Sequence, residues 1–180
     1  STLSQTQYHA YDANNHLCKV SRNDVGTTVY SRNTLGDITW QAQGVSGGTD
    51  TDCASEATAI EKINYGYDNL GDPQTISYGD GTAAVNYTYS NAGDLTQLIA
   101  GNVTQTYGYN SNHQVTAESL SIDGKTFDLG YDYDSLGGLT ALKYPNAETL
   151  NFTANAFGQP SEASIVNGQT HASAANYYPN

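Results

Sequence analysis

Tyr65-Gly66-Tyr67-Asp68-Asn69-Leu70-Gly71-Asp72 is a phrase that this chain repeats. It returns as Tyr87-Thr88-Tyr89-Ser90-Asn91-Ala92-Gly93-Asp94, as Tyr107-Gly108-Tyr109-Asn110-Ser111-Asn112-His113-Gln114, and as Tyr131-Asp132-Tyr133-Asp134-Ser135-Leu136-Gly137-Gly138. With the second tyrosine as a register mark, the marks fall at Tyr11, Arg32, Tyr67, Tyr89, Tyr109, Tyr133, Ala154 and Tyr178, at intervals of 21, 35, 22, 20, 24, 21 and 24 residues. Arg32 and Ala154 replace the tyrosine inside frames that otherwise hold, Tyr30 to Thr39 and Phe152 to Gly158. A period near twenty residues marks a protein made by stacking small units, none of which can bury a core alone.

Two tyrosines at i and i+2 lie on one face of a β-strand. Their neighbours are Thr, Val, Ile and Asn, a β-prone mix. Asp, Asn or Ser then precedes two residues and a Gly, the order of a tight turn in which the first side chain caps the backbone and Gly takes a positive φ. Gly71, Gly93 and Gly137 are expected in that conformation. A second strand such as 94–99 follows, and it ends at Gly79-Asp80-Gly81, Gly101-Asn102, Asp123-Gly124, Pro145-Asn146 or Asn167-Gly168, which are hairpin signals. Seven such units predict an all-β antiparallel meander of about fourteen strands, a strip of sheet. No apolar stripe of helical spacing is sustained. The best short candidate, Ala54 to Glu61, is brief, and Gly or Pro interrupts nearly every longer window. No linker breaks the rhythm, so residues 1–180 read as a single array.

Fifteen tyrosines stand against three phenylalanines. Tyrosine combines a large apolar ring with a hydroxyl that needs water or a partner. The rings read as sheet packing or, on a second reading, as an aromatic ladder that stacks on sugars. The net charge of −12 argues against a nucleic-acid partner, which needs clustered Lys and Arg. The six basic residues are scattered. The acidity reads as a solubility device or as attraction for a cationic cargo. No run approaches the ~20 apolar residues of a membrane span.

Cys18 and Cys53 are the two cysteines. In an exported chain they are expected to be bridged, and otherwise to be free thiols. The long interval between Arg32 and Tyr67 holds an insertion of about fourteen residues within 41–58. It is rich in Gly, Ser, Thr and Asp and reads as a surface loop.

No chemistry rises above the repeat. His9, His16, His113 and His171 are far apart, and His16 and His113 fall at or beside the turn glycine position. No His/Cys/Asp cluster has metal-ligand spacing. Asp132/Asp134 and Asp50/Asp52 each put two carboxylates on one strand face, but Asp134 is the turn-opening residue of the repeat, like Asp12 and Asp68. No nucleophile elbow, P-loop or dinucleotide fingerprint appears. The sequence therefore predicts no catalytic residue, no cofactor and no metal. Its repeat residues Tyr65, Tyr67, Asp68, Gly71, Tyr87, Tyr89, Gly93, Tyr107, Tyr109, Tyr131, Tyr133, Asp134 and Gly137 read as structural.

The phrase Tyr-x-Tyr-Asp-x-x-Gly-x-Leu-Thr followed by Tyr-x-Asp/Asn-Gly resembles the YD repeat of RHS-type proteins. Tyr131 to Thr140 with Tyr144-Pro145-Asn146, and Tyr65 to Gly71 with Tyr78-Gly79-Asp80-Gly81, carry the resemblance. It extends over nearly the whole chain. RHS-type polymorphic toxins, toxin-complex C subunits and teneurins wind such repeats into a hollow shell, which in the bacterial toxins encloses a toxic domain. The chain departs from that pattern in lacking the Pro- and Gly-containing shell-closing signature and its Asp pair, so it is expected to be an interior segment.

Two functions follow as expectations. The first is a structural segment of a secreted or surface bacterial protein, enclosing or presenting another polypeptide such as a toxin domain. The second is a carbohydrate-binding or adhesion module, assembling into a fibre. The expected partners are flanking YD repeats of the same or neighbouring chains, with an enclosed toxin polypeptide or surface glycans beyond them. A strip that does not close leaves strand edges near Tyr8 and Tyr177, and such edges recruit other strands.

Overall fold

The computed structural model describes residues 6–22, 26–44, 53, 61–165 and 170–172. Fifteen strands and no helix occur among them. They are β1 (Gln7–Tyr11), β2 (Leu17–Arg22), β3 (Gly26–Arg32), β4 (Ile38–Gln43), β5 (Glu61–Tyr67), β6 (Pro73–Tyr78), β7 (Val85–Tyr89), β8 (Leu95–Ala100), β9 (Val103–Tyr109), β10 (Val115–Ile122), β11 (Lys125–Tyr133), β12 (Leu139–Lys143), β13 (Thr149–Ala154), β14 (Pro160–Ile165) and β15 (Thr170–Ala172). The all-β antiparallel meander read from the repeat is thus the observed fold. One strand is added to the expected fourteen, because β15 opens a further unit.

Contacts divide the chain into two units, Ser1–Tyr87 and Thr88–Asn180, with the division inside β7. Each is an antiparallel ladder in chain order. In the first, β1 to β6 pair successively and β6 pairs with β7. In the second, β8 to β15 do the same. Among the described strands, contacts run only between chain neighbours, so no second layer packs on either ladder. Few described side chains are buried: Ala10, Cys18, Lys19, Val29 and Ala42 in the first unit and Ala141 in the second.

Register explains the buried row. Ala10 lies opposite Lys19, Lys19 opposite Val29, and Val29 opposite Ala42. Directly opposed residues share a face, so these four form one line across β1 to β4. The line continues to Lys62, whose ammonium sits 4.7 Å from the Trp40 ring centre. Tyr65, three residues from Lys62 on β5, lies on the opposite face.

Most of the interval expected to hold the insertion, within 41–58, lies outside the described residues; its first three residues are strand. Gln41, Gln43 and the Ala42 between them belong to β4 and pair with β5. Their alternation with Trp40 and Ile38 keeps them on the ladder, so no loop begins before Gly44. Cys53, within that interval, is joined to Cys18 with a Cα–Cα separation of 5.3 Å. The Ala54 to Glu61 helix candidate falls outside the described residues except for Glu61, which opens β5. The Asp50/Asp52 pair, the Asn167-Gly168 turn and the Tyr177 edge also lie outside them.

Candidate functional site

Among the described residues the repeated phrase folds seven times into the same five-residue turn. At 12–16, 33–37, 68–72, 90–94, 110–114, 134–138 and 155–159, the first residue's N–H donates to the fifth residue's carbonyl, and the fourth residue's N–H donates back to the first. The first side chain closes the loop by accepting from two further N–H groups. Asp68 Oδ1 takes those of Leu70 (2.8 Å) and Asp72 (3.0 Å). Asp134 Oδ1 takes those of Leu136 and Gly138. Asp12, Asn33, Asn110 and Asn155 do the same, and Ser90 does so through its hydroxyl. A short oxygen-bearing side chain is therefore required there, and Asp, Asn and Ser meet the requirement alike.

The fourth position needs a left-handed backbone. Gly71, Gly93 and Gly137 have φ of 90°, 87° and 87°, as expected. Asn15 and His113 stand in the same slot at 64° and 60°, which places the sequence's turn histidine. The ladder register also shifts beside the mark, at Ala10/Tyr11, Ser31/Arg32, Gly66/Tyr67, Asp132/Tyr133 and Thr153/Ala154. These bulges sharpen the local twist.

The second tyrosine ties one unit to the one before it. Tyr67 donates its hydroxyl to the Ile38 carbonyl at 2.8 Å, Tyr109 to Leu95 at 2.7 Å and Tyr133 to Val115 at 2.7 Å. Each acceptor is the residue that follows the preceding turn. Arg32, which replaces the tyrosine, makes the same connection: its Nε donates to the Leu17 carbonyl at 3.3 Å and its Nη1 to the Gly36 carbonyl at 2.7 Å. Ala154 has no group that can do so. These half-buried hydroxyls are consumed inside the sheet, so Tyr67, Tyr109 and Tyr133 act as staples between units. Burial raises the Tyr67 and Tyr109 phenols above the ordinary value, with Asp37 and Asp94 adding to it respectively.

Of the first tyrosines, Tyr131 donates to Glu118 Oε2 at 2.6 Å, which with burial pushes its phenol up to about 12. Tyr107 lies opposite Glu118 in the ladder and is raised by burial and then by that carboxylate. Tyr65 is raised mainly by burial, then by Tyr67, Tyr78 and Tyr30. Tyr87 lies on β7, beside the division of the two units.

Turn-to-turn contacts add a second link. His113 Nδ1 lies 2.8 Å from Asp94 Oδ2 of the preceding turn. Gln114 Nε2 donates to the Gly137 carbonyl at 2.9 Å. His16 Nδ1 lies 3.4 Å from Asp12 Oδ2 of its own turn, and its ring packs against Gly36 of the next turn. The sequence placed His16 and His113 at or beside the turn glycine position, but it did not show these contacts, and it did not single out Gln114. The signal that could have found them is the run of His, Asp and Gln at the fifth position. An eighth turn of the same backbone pattern, Tyr144 to Glu148, lacks a glycine. Ala147 takes φ of 66° there.

Among the described residues no group of three or more His, Cys, Asp or Glu could hold a metal ion. Asp132 turns away from Asp134 to pair with Lys143 at 2.8 Å, and Asp134 is committed to its turn. Among the described residues no helix is long and apolar enough to cross a membrane.

A meander whose units are joined by turn, bulge and ring staple is an antiparallel repeat fold, and a solved structure shares it. A structure of the Photorhabdus luminescens Tc holotoxin pore, bearing a TccC3 mutation, superposes with a TM-score of 0.60 at 16% identity, covering 82% of this chain and 8% of that one. A TcdB2–TccC3 crystal structure aligns at 15% identity and a TM-score of 0.44, covering 88% of this chain and 12% of that one. The likeness to the pore structure is one of fold. The chain spans less than an eighth of either relative. No protein-family profile matches it, and no curated protein does.

Proposed function

We propose that the chain is a structural YD-repeat segment, one array over residues 1–180, of a secreted or surface-displayed bacterial RHS-like protein. The array encloses or presents another polypeptide such as a toxin domain. The observation that carries this reading is the recurrence of one inter-unit bond. Tyr67, Tyr109 and Tyr133, with Arg32 in their place once, all reach back to the carbonyl that follows the preceding turn. The most regular feature of the chain is thus spent on holding units in line, which is what a wall requires. The fold likeness to a chain of the Tc holotoxin pore supports the same role. The Cys18–Cys53 bridge supports an oxidising destination. No catalytic role is assigned.

The test is protease protection of the natively produced protein with its own flanking sequence. A wall predicts a polypeptide stretch outside the repeats that resists digestion in the intact particle and is cleaved once the particle is denatured. Digestion of every non-repeat stretch in the intact particle would exclude enclosure.

A further inference from the structure

The register mark that lost its ring leaves a cleft in its place. Ala141 pairs with Asn151, and two residues on toward the turns come Leu139 and Thr153. Ala154 is therefore one residue past the position opposite Leu139. Every working staple has this geometry. Trp40 pairs with Asn64, so Tyr67 is one past the position opposite Ile38. Ala117 pairs with Gly130, so Tyr133 is one past the position opposite Val115. Gln97 pairs with Thr106, which places Tyr109 likewise against Leu95. Leu139 is thus the residue whose carbonyl would receive a hydroxyl from position 154.

A cleft of about 390 Å³ opens at that point, lined by Leu139, Phe152, Ala154, Gly158 and Pro160, with Asp134 and Leu136 on the preceding turn. It lies wholly within the second unit and between two consecutive repeat turns. A dry cavity of ~150 Å³ already accepts benzene, so the space suffices for one aromatic ring. Its lining is mostly apolar, and it includes Leu139, the counterpart of the Ile38, Leu95 and Val115 that accept a phenol hydroxyl in the other units.

We infer that this cleft binds a 4-hydroxyphenyl group, supplied by a tyrosine side chain of a partner polypeptide. The repeat itself is the template for that chemistry. At Tyr67, Tyr109 and Tyr133 the same surroundings hold a ring packed on the sheet with its hydroxyl on a carbonyl. Phenylalanine would fill the apolar part but leave the Leu139 carbonyl without the hydroxyl. A charged side chain would have to lose water against an apolar wall. The chemistry of the cleft is independent of whether the array encloses a cargo.

The probe is 4-methylphenol, the tyrosine side chain alone, titrated into the 180-residue chain and followed by amide NMR. Saturable shifts clustered at Leu139, Ala154 and Gly158 are expected, with a Kd on the order of 1 mM, the range open to so small a ligand. Toluene, which lacks the hydroxyl, should bind about three- to tenfold more weakly. Ala154→Tyr should abolish binding by supplying the ring internally. Ala154→Phe should block it as well, and it keeps the test valid if the tyrosine variant fails to fold. An extended peptide carrying one tyrosine should bind more tightly than 4-methylphenol, and its phenylalanine version more weakly than the tyrosine one. Absence of saturable shifts at these amides, or shifts that persist in both variants, would overturn the site. Binding of 4-methylphenol without binding of the peptide would overturn the polypeptide as its source.

Discussion

Removing one oxygen atom from Tyr67 tests whether the staple stabilises the array. Tyr67→Phe keeps the ring and its packing and deletes only the hydroxyl that reaches Ile38 at 2.8 Å. A net hydrogen bond in a half-buried site contributes about 0.5–1.5 kcal/mol. With a urea m-value of about 2 kcal/mol/M, the unfolding midpoint should fall by roughly 0.3–0.7 M. Trp40 is the only tryptophan and stands two residues from Ile38 on β4, so its fluorescence reports the affected joint directly. Tyr67→Ala should cost about 2 kcal/mol or more, because the ring contacts are lost as well. Arg32→Tyr restores the ordinary residue at the one mark where Arg32 already reaches Leu17, and it should be tolerated where Arg32→Ala is not. If Tyr67→Phe leaves the Trp40 midpoint unchanged while Tyr67→Ala lowers it, the ring alone matters and the hydroxyl staple is idle.

At the fourth turn position, Gly71→Val should cost more than ~1 kcal/mol, since φ is 90° and a β-branched residue resists it. Gly71→Asn should cost clearly less in the same denaturation series, because Asn15 already adopts this conformation. Tyr131 is held to about 12 against an ordinary value of 10.0, so between these two pH values the folded chain keeps a proton that the unfolded chain has lost. The stabilisation is complete below pH 10 and disappears as pH rises through about 12. Tyrosinate absorbance should show this late titration, and Glu118→Gln should bring it back toward the ordinary value. Reduction of Cys18–Cys53, separated by 35 residues, should lower stability by roughly 3–4 kcal/mol on the loop-entropy estimate. Thiol labelling of the unfolded, unreduced chain should find no reactive cysteine.

The fold was legible because its cause is local and repeated. Asp68, Gly71 and the alternating strand residues around them each demand one backbone conformation, and repetition removed the ambiguity of a single copy. What the mark residues do was less legible. The spacing of Tyr65 and Tyr67 places both on one face, but it does not say that Tyr67 reaches a carbonyl of the preceding unit. That bond depends on the bulge at Gly66/Tyr67, which shifts the register only after pairing. The Tyr131–Glu118 contact was hidden for a similar reason. The two residues are 13 apart in sequence and meet across β10 and β11. The composition of 41–58 does not say where the strand ends and the insertion begins. Pairing of Gln41 with Ile63 carries β4 on to Gln43.

The two exceptions in the array define what the mark position requires. If the ring were the requirement, Arg32 would be a defect. Instead its guanidinium satisfies the Leu17 carbonyl and also the Gly36 carbonyl of its own turn. The requirement is therefore a donor on a long side chain, and aromaticity is one way to carry it. Ala154 fails that requirement, and a cleft stands beside the failure. A ladder in which strands touch only their chain neighbours has no second layer to compensate for a missing link. Its cohesion is the sum of neighbour terms. The joint between the turns at 134–138 and 155–159 therefore lacks a term that the joints at Tyr67, Tyr109 and Tyr133 have. An external tyrosine would restore that term, which couples occupancy of the cleft to the rigidity of the strip at that point.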